Sequence, residues 1–131
     1  MNANRKYLLI IFLAIIFCAA KHEKTFDEYH GGAFGHSGLT LRIYHDSTYS
    51  YSEWNDAGGR VNDNGKWGKR NQYYYLNSIK TERNKGNRKS RRILRFEMQQ
   101  FTITADTLKL IPNNEKDADY FDAYYTFYKV K

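Results

Sequence analysis

A single cysteine and a single proline stand in a chain of 131 residues, and each shortage excludes something. One cysteine forbids an intrachain disulfide, so the fold must hold without covalent cross-links even in a compartment that permits them. Helical periodicity is also missing: after the first 20 residues, no window of about 11 residues repeats apolar side chains at helical spacing. Long apolar runs are scarce too. The one present starts at Tyr7 and, even stretched to Ala20, covers 14 residues. A membrane-crossing helix needs about 20.

Catalytic motifs are equally short of parts. "GHSGL" has Gly35, Ser37 and Gly38, but Leu39 stands where a nucleophile elbow needs its last glycine. Five residues separate Gly59 from Gly65, and Trp67 follows Lys66, so the phosphate-loop spacing fails as well. No cysteine thiolate is within reach of His30, His36 and His45, and the histidines lack tight ligand spacing, so no metal site or cofactor is expected. The acidic run with Glu115, Asp117, Asp119 and Asp122 lacks the glycine and the twelfth-position glutamate of a calcium loop.

What is present begins with an address. Residues 1–20 place Arg5 and Lys6 before an apolar stretch that ends in small residues, the layout of a secretory signal peptide. Two export routes fit. Cys18 and Ala20 occupy the small-residue positions that signal peptidase reads, giving a mature start at Lys21. Alternatively Cys18 closes a bacterial lipobox, with Ile15 at −3 and the bulky Phe17 at −1, and becomes the diacylated first residue. The expected product is exported to the periplasm, envelope or medium, and touches a membrane only through its leader or a lipid on Cys18.

The charge is local. The chain carries +7, and residues 80–95 hold eight lysines and arginines against Glu82. A basic pI therefore says little about nucleic acid by itself. The segment also lacks aromatic residues between Lys80 and Arg92 for stacking on bases, so a nucleic-acid partner is not expected. Arg88, Lys89, Arg91 and Arg92 suit phosphates, sulfated sugars or anionic headgroups. The plainer reading is a solvated loop whose charge deters edge pairing.

After a polar, glycine-rich tether over 21–37, the period becomes two. "LTLRIYH" alternates Leu39, Leu41 and Ile43 with polar neighbours, and "TYSYSEW" puts Tyr49, Tyr51 and Glu53 on one face. "NDAGGRVNDNG" reads as a loop and "GKWGK" as a short third strand with Trp67 inward. "YYYLNSI" turns Tyr74 and Leu76 inward, "ILRFEM" Leu94, Phe96 and Met98. "FTIT" and "TLKLI", joined at Ala105–Asp106, contribute Phe101, Ile103, Leu108 and Leu110. Pro112 ends that ladder because it lacks an N–H, and "AYYTFYKV" is the last strand.

The expected fold is therefore all-β: one domain over 38–131, an antiparallel meander of about eight strands that closes into a barrel and so removes its edges. "GLTLRIYHDSTYSY", "GKWGKRNQYYYLNS" and "DTLKL" together resemble small exported bacterial β-barrel proteins of lipocalin-like or calycin-like type. The resemblance implies binding or structural roles at the cell envelope. Lipocalins carry a Gly-x-Trp on their first strand; here Gly65–Trp67 falls on the third.

Three functions follow as expectations. The first is a non-enzymatic barrel that holds a small amphipathic ligand among Tyr49, Tyr51, Trp67 and Tyr74, or meets an anionic envelope component through Arg88, Lys89, Arg91 and Arg92. The second is a structural or interaction protein whose interior is filled. The third, an enzyme, needs a carboxylate or histidine directed into the barrel, for which Glu53 has the right strand parity.

Overall fold

The computed structural model describes residues 24–33, 35–84, 94–113 and 124–131. Eight antiparallel strands form a closed barrel in chain order: β1 (Phe26–Gly31), β2 (Ser37–Tyr44), β3 (Thr48–Asn55), β4 (Arg60–Arg70), β5 (Tyr73–Asn84), β6 (Gln99–Thr104), β7 (Thr107–Leu110) and β8 (Thr126–Lys129). Each strand pairs with its sequence neighbour, and β8 returns to β1 through Tyr29↔Lys129 and His30↔Tyr128.

Alternation sets the inner face. Leu39, Leu41 and Ile43 of β2, Tyr49 and Tyr51 of β3, Leu76 of β5, Phe101 of β6, Leu108 and Leu110 of β7, and Phe127 of β8 form one buried core. The strand registers arrange these side chains in rows. Leu41, Tyr51, Asp63 and Thr81 lie across β2 to β5 in one row, and Leu39, Glu53, Val61 and Arg83 in the next. Ile103, Tyr74 and Trp67 are partly buried against the same cluster.

Turn chemistry agrees with the sequence at three hairpins. Asp46 bonds back to the Thr48 N–H (3.1 Å) in the β2–β3 turn. The β4–β5 and β6–β7 turns sit at Asn71–Gln72 and Ala105–Asp106, with Ser47, Asn71 and Ala105 all at positive φ (66°, 57° and 51°). Such φ values match the twist of tight hairpins.

Four expectations change. The tether over 21–37 is cut short because residues 26–31 pair with both β2 and β8 as β1. The loop read over "NDAGGRVNDNG" ends at Gly59, since Arg60–Asn64 pair with β3 and β5. β4 is thereby extended to 11 residues, and Trp67 falls on the fourth strand. "ILRFEM" is not a strand: only Phe96 of its expected inward trio is buried, while Leu94 and Met98 are exposed. Its backbone docks through side chains instead. Arg95 N–H donates to Thr81 Oγ1 (2.9 Å), Phe96 N–H to Ser78 Oγ (2.8 Å) and Met98 N–H to Asn77 Oδ1 (2.8 Å).

Candidate functional site

Three strands, β3, β4 and β5, and one irregular segment build the polar heart of the interior. Asp63 is wholly buried, and it accepts three hydroxyls: Tyr49 Oη at 2.6 Å, Ser78 Oγ at 2.8 Å, and Thr81 Oγ1. A buried carboxylate without such donors would cost several kcal/mol, roughly. The same Ser78 and Thr81 oxygens accept the N–H groups of Phe96 and Arg95, so Asp63 orders the hydroxyls that hold residues 95–96 against β5. Gly65 permits the packing beside it, because a Cβ there would lie 2.0 Å from the Asn77 carbonyl oxygen and 2.7 Å from the Tyr49 ring.

The four residues expected to line a ligand cavity sit close to this network. Tyr49 and Tyr51 are buried, with Phe96 packed edge-on between them at ring separations of 6.1 and 5.1 Å. Tyr74 stacks on Phe101 at 5.2 Å and lies 6.2 Å from Trp67, whose indole N–H donates to the Tyr44 carbonyl (2.8 Å). The Tyr51 hydroxyl donates to Glu53 (2.9 Å). Among the described residues no buried side-chain nitrogen or oxygen lacks a partner. Burial pushes the Tyr49 and Tyr51 hydroxyls well above the usual phenol range.

Glu53 stands one row nearer the rim. Its carboxylate meets Tyr51, the Tyr124 hydroxyl (3.4 Å) and the Arg95 guanidinium (3.4 Å). Arg95 in turn donates to the Tyr125 hydroxyl and lies over the rings of Phe96 (5.2 Å), Tyr125 (5.5 Å) and Tyr51 (5.8 Å). Burial alone would lower the Arg95 guanidinium; Tyr51, Tyr125 and Glu53 outweigh it and raise it further above its ordinary range. Glu53 is thus the acceptor of an arginine clamp, and no histidine or second carboxylate is hydrogen-bonded to it among the described residues.

Above that clamp the barrel rim opens into a hollow of about 400 Å³, lined among others by Glu53, Arg60, Arg83, Asn84 and Arg95. Arg60 and Arg83 form no ion pair among the described residues. A second hollow of about 370 Å³ shares Asn55, Gly59, Arg60 and Asn84 with the first and is walled by Trp54. Sequence reading located the basic stretch but missed Arg60 and Trp54, which join it only because β4 pairs with β3 and β5 up to the rim. The proposed contacts Arg88, Lys89, Arg91 and Arg92, the acidic run over 115–122 and Cys18 lie outside the described residues.

The described histidines pair at the surface: His30 with Glu28 (2.8 Å), His36 with Asp56 (3.0 Å), and His45 with Thr25 (2.9 Å) and Asp27 (3.8 Å). Among the described residues no three His, Cys, Asp or Glu side chains converge as a metal would require. No family model, curated protein or solved structure matches the chain.

Proposed function

We propose that the chain is an exported, non-enzymatic barrel of the cell envelope, and that it works by binding an anionic partner at its basic rim. The observation that carries this reading is the arginine-lined hollow at the end where the chain leaves β5 towards its most basic segment. Guanidinium groups that face solvent without a carboxylate attract oxyanions and pair with them in bidentate fashion. Arg88, Lys89, Arg91 and Arg92 would extend that surface towards anionic headgroups, each basic residue adding about 1 kcal/mol of attraction near a charged membrane.

A small amphipathic ligand among Tyr49, Tyr51, Trp67 and Tyr74 is the second reading. It requires rings already packed on Phe96 and Phe101 to part, and hydroxyls already donated to Asp63 and Glu53 to change partners. The filled-core reading asks nothing of them, and it is compatible with binding at the rim.

Cosedimentation tests the surface. Vesicles containing phosphatidylglycerol should retain the protein at low salt, release it as salt rises, and retain the Arg91→Ser/Arg92→Ser variant less. Salt-independent retention that the double variant leaves unchanged would contradict the reading. Mass spectrometry of the protein from its native cells tests export: a start at Lys21, or an acylated start at Cys18, supports it, and an intact Met1 start sinks it.

A further inference from the structure

The hollow on the rim has a charge that selects among oxyanions. Three guanidinium groups, Arg60, Arg83 and Arg95, stand against one carboxylate, Glu53. Arg95 is already held by Glu53 and Tyr125, so the pair left uncompensated among the described residues is Arg60 and Arg83. Val61 pairs with Arg83 and Arg60 with Asn84, so Arg83 approaches the shared hollow from the inner side of the rim and Arg60 from the outer side. A carboxylate ligand would balance one of the two cations. A phosphomonoester, carrying about −1.5 to −2 at neutral pH, balances both.

Beside this charge lies an aromatic wall. Trp54 is 46 % exposed although it is one of the largest apolar side chains in the domain. It pairs with Arg60 across the β3–β4 ladder and faces Gly38 across β2. A Cβ on Gly38 would lie 2.1 Å from Trp54 Nε1, so the glycine is what lets the indole lie against the strand. Next to it, Asn55 Oδ1 accepts the Gly59 N–H (3.0 Å), which leaves the Asn55 amide donors unused by that turn. Exposed, positioned indoles bind rings by stacking.

We propose that the rim binds a phosphomonoester joined to a ring, the phosphate between Arg60 and Arg83 with Arg95 behind it, and the ring on Trp54. The proposal rests on the rim being the binding surface and names the ligand that the rim selects. The phosphomonoester can belong to a soluble phosphosugar or to a lipid headgroup.

Glucose 6-phosphate, inorganic phosphate and vesicles of phosphatidylcholine doped, to equal charge, with either phosphatidylinositol 4-phosphate or phosphatidylinositol separate the cases. Expected for a soluble ligand is saturable binding of glucose 6-phosphate, with a change in tryptophan emission that disappears in Trp54→Phe. Arg60→Gln and Arg83→Gln should each weaken it about tenfold, the scale of one lost charge-assisted hydrogen bond. Inorganic phosphate should bind without the emission change. Both arginines are exposed, and an unchanged circular dichroism spectrum confirms that the variants fold. If glucose 6-phosphate is silent but phosphatidylinositol 4-phosphate vesicles retain the protein better than phosphatidylinositol vesicles, and Arg83→Gln removes the difference, the phosphomonoester is a headgroup. Equal retention by both vesicles, untouched by either arginine variant and with glucose 6-phosphate silent, overturns the site while leaving general basic attraction standing. Glucose 6-phosphate binding without any vesicle retention keeps the site and removes the membrane reading.

Discussion

The two ends of the barrel are built by different physics. At one end the β2–β3, β4–β5 and β6–β7 connections are tight turns whose residues decide their own shape, through Asp46 bonding to Thr48 and positive φ at Ser47, Asn71 and Ala105. Both described termini leave from this end: the Thr25 carbonyl caps His45, and Lys129 N–H donates to Asp106. At the other end the connections are longer, and segments distant in sequence hold one another. Arg95 reaches Glu53 and Tyr125, while Asp56 N–H donates to the His36 carbonyl and its carboxylate meets the His36 ring. The first end is closed by local rules and presents little that calls for a ligand. The second leaves Arg60, Arg83 and Trp54 open to solvent, on the side opposite the two described termini.

The sharpest way to break this contrast is at Asp63. Asp63→Ala strands three hydroxyls, two of which, on Ser78 and Thr81, in turn hold Phe96 and Arg95, so we expect a loss of about 3 kcal/mol or more in urea unfolding. Amide exchange should accelerate at Arg95 and Phe96 while the tight-turn end keeps its protection. A loss under about 1 kcal/mol would mean that the network does not order the open end.

Alkali should act next, and on the interior. Burial raises the Tyr49 and Tyr51 hydroxyls above their unfolded value of 10.0. A raised folded value gives stability that is intact below pH 10 and lost as pH climbs beyond it, because only the unfolded chain ionises. Each such tyrosine should lower stability by up to about 1.4 kcal/mol per pH unit. Phenolate absorbance should therefore show two populations, with the buried one ionising only as the barrel unfolds.

The tight-turn end should respond to smaller, local changes. Ala105 sits at φ 51°, where a Cβ is strained, so Ala105→Gly should raise stability by about 0.5–1 kcal/mol despite removing a methyl group. Chemical denaturation would read a loss instead if the turn were not strained. Smallest of all is the acid effect at Asp46, which Lys24 and then Thr48 hold at about 2 against an ordinary 3.8. A lowered folded value contributes stability above 3.8 that disappears as pH falls through about 2. Asp46→Asn should flatten the acid limb of a stability-versus-pH curve without moving its alkaline limb.

The same contrast decides what the sequence reveals. Strands β2, β3, β6 and β7 are legible because one face is buried and the other solvated, so the period of two survives in the residues. Turns at Asp46, Asn71 and Ala105–Asp106 are legible because they are local. The first half of β4 is not: Asn62, Asp63 and Asn64 have the composition of a loop, and they enter the sheet because Asp63 finds hydroxyls on β3 and β5. For β1, "FDEYHG" offers Tyr29 as its one buried side chain, and the strand exists because β2 and β8 bracket it. Residues 94–98 alternate like a strand yet dock through Ser78, Thr81 and Asn77. The proposed rim surface is half legible, since the arginine excess is plain in the sequence, whereas the approach of Arg60 and Trp54 depends on register.

The most direct measurement is a nuclear magnetic resonance titration of the uniformly labelled protein with glucose 6-phosphate, followed at backbone amides. Shifts are expected only at the rim, at Trp54, Asn55, Gly59, Arg60, Arg83, Asn84 and Arg95, with Ser47, Asn71 and Ala105 at the far end unmoved. Shifts centred instead on Tyr49, Trp67 and Tyr74, or on the tight turns, would contradict the rim site.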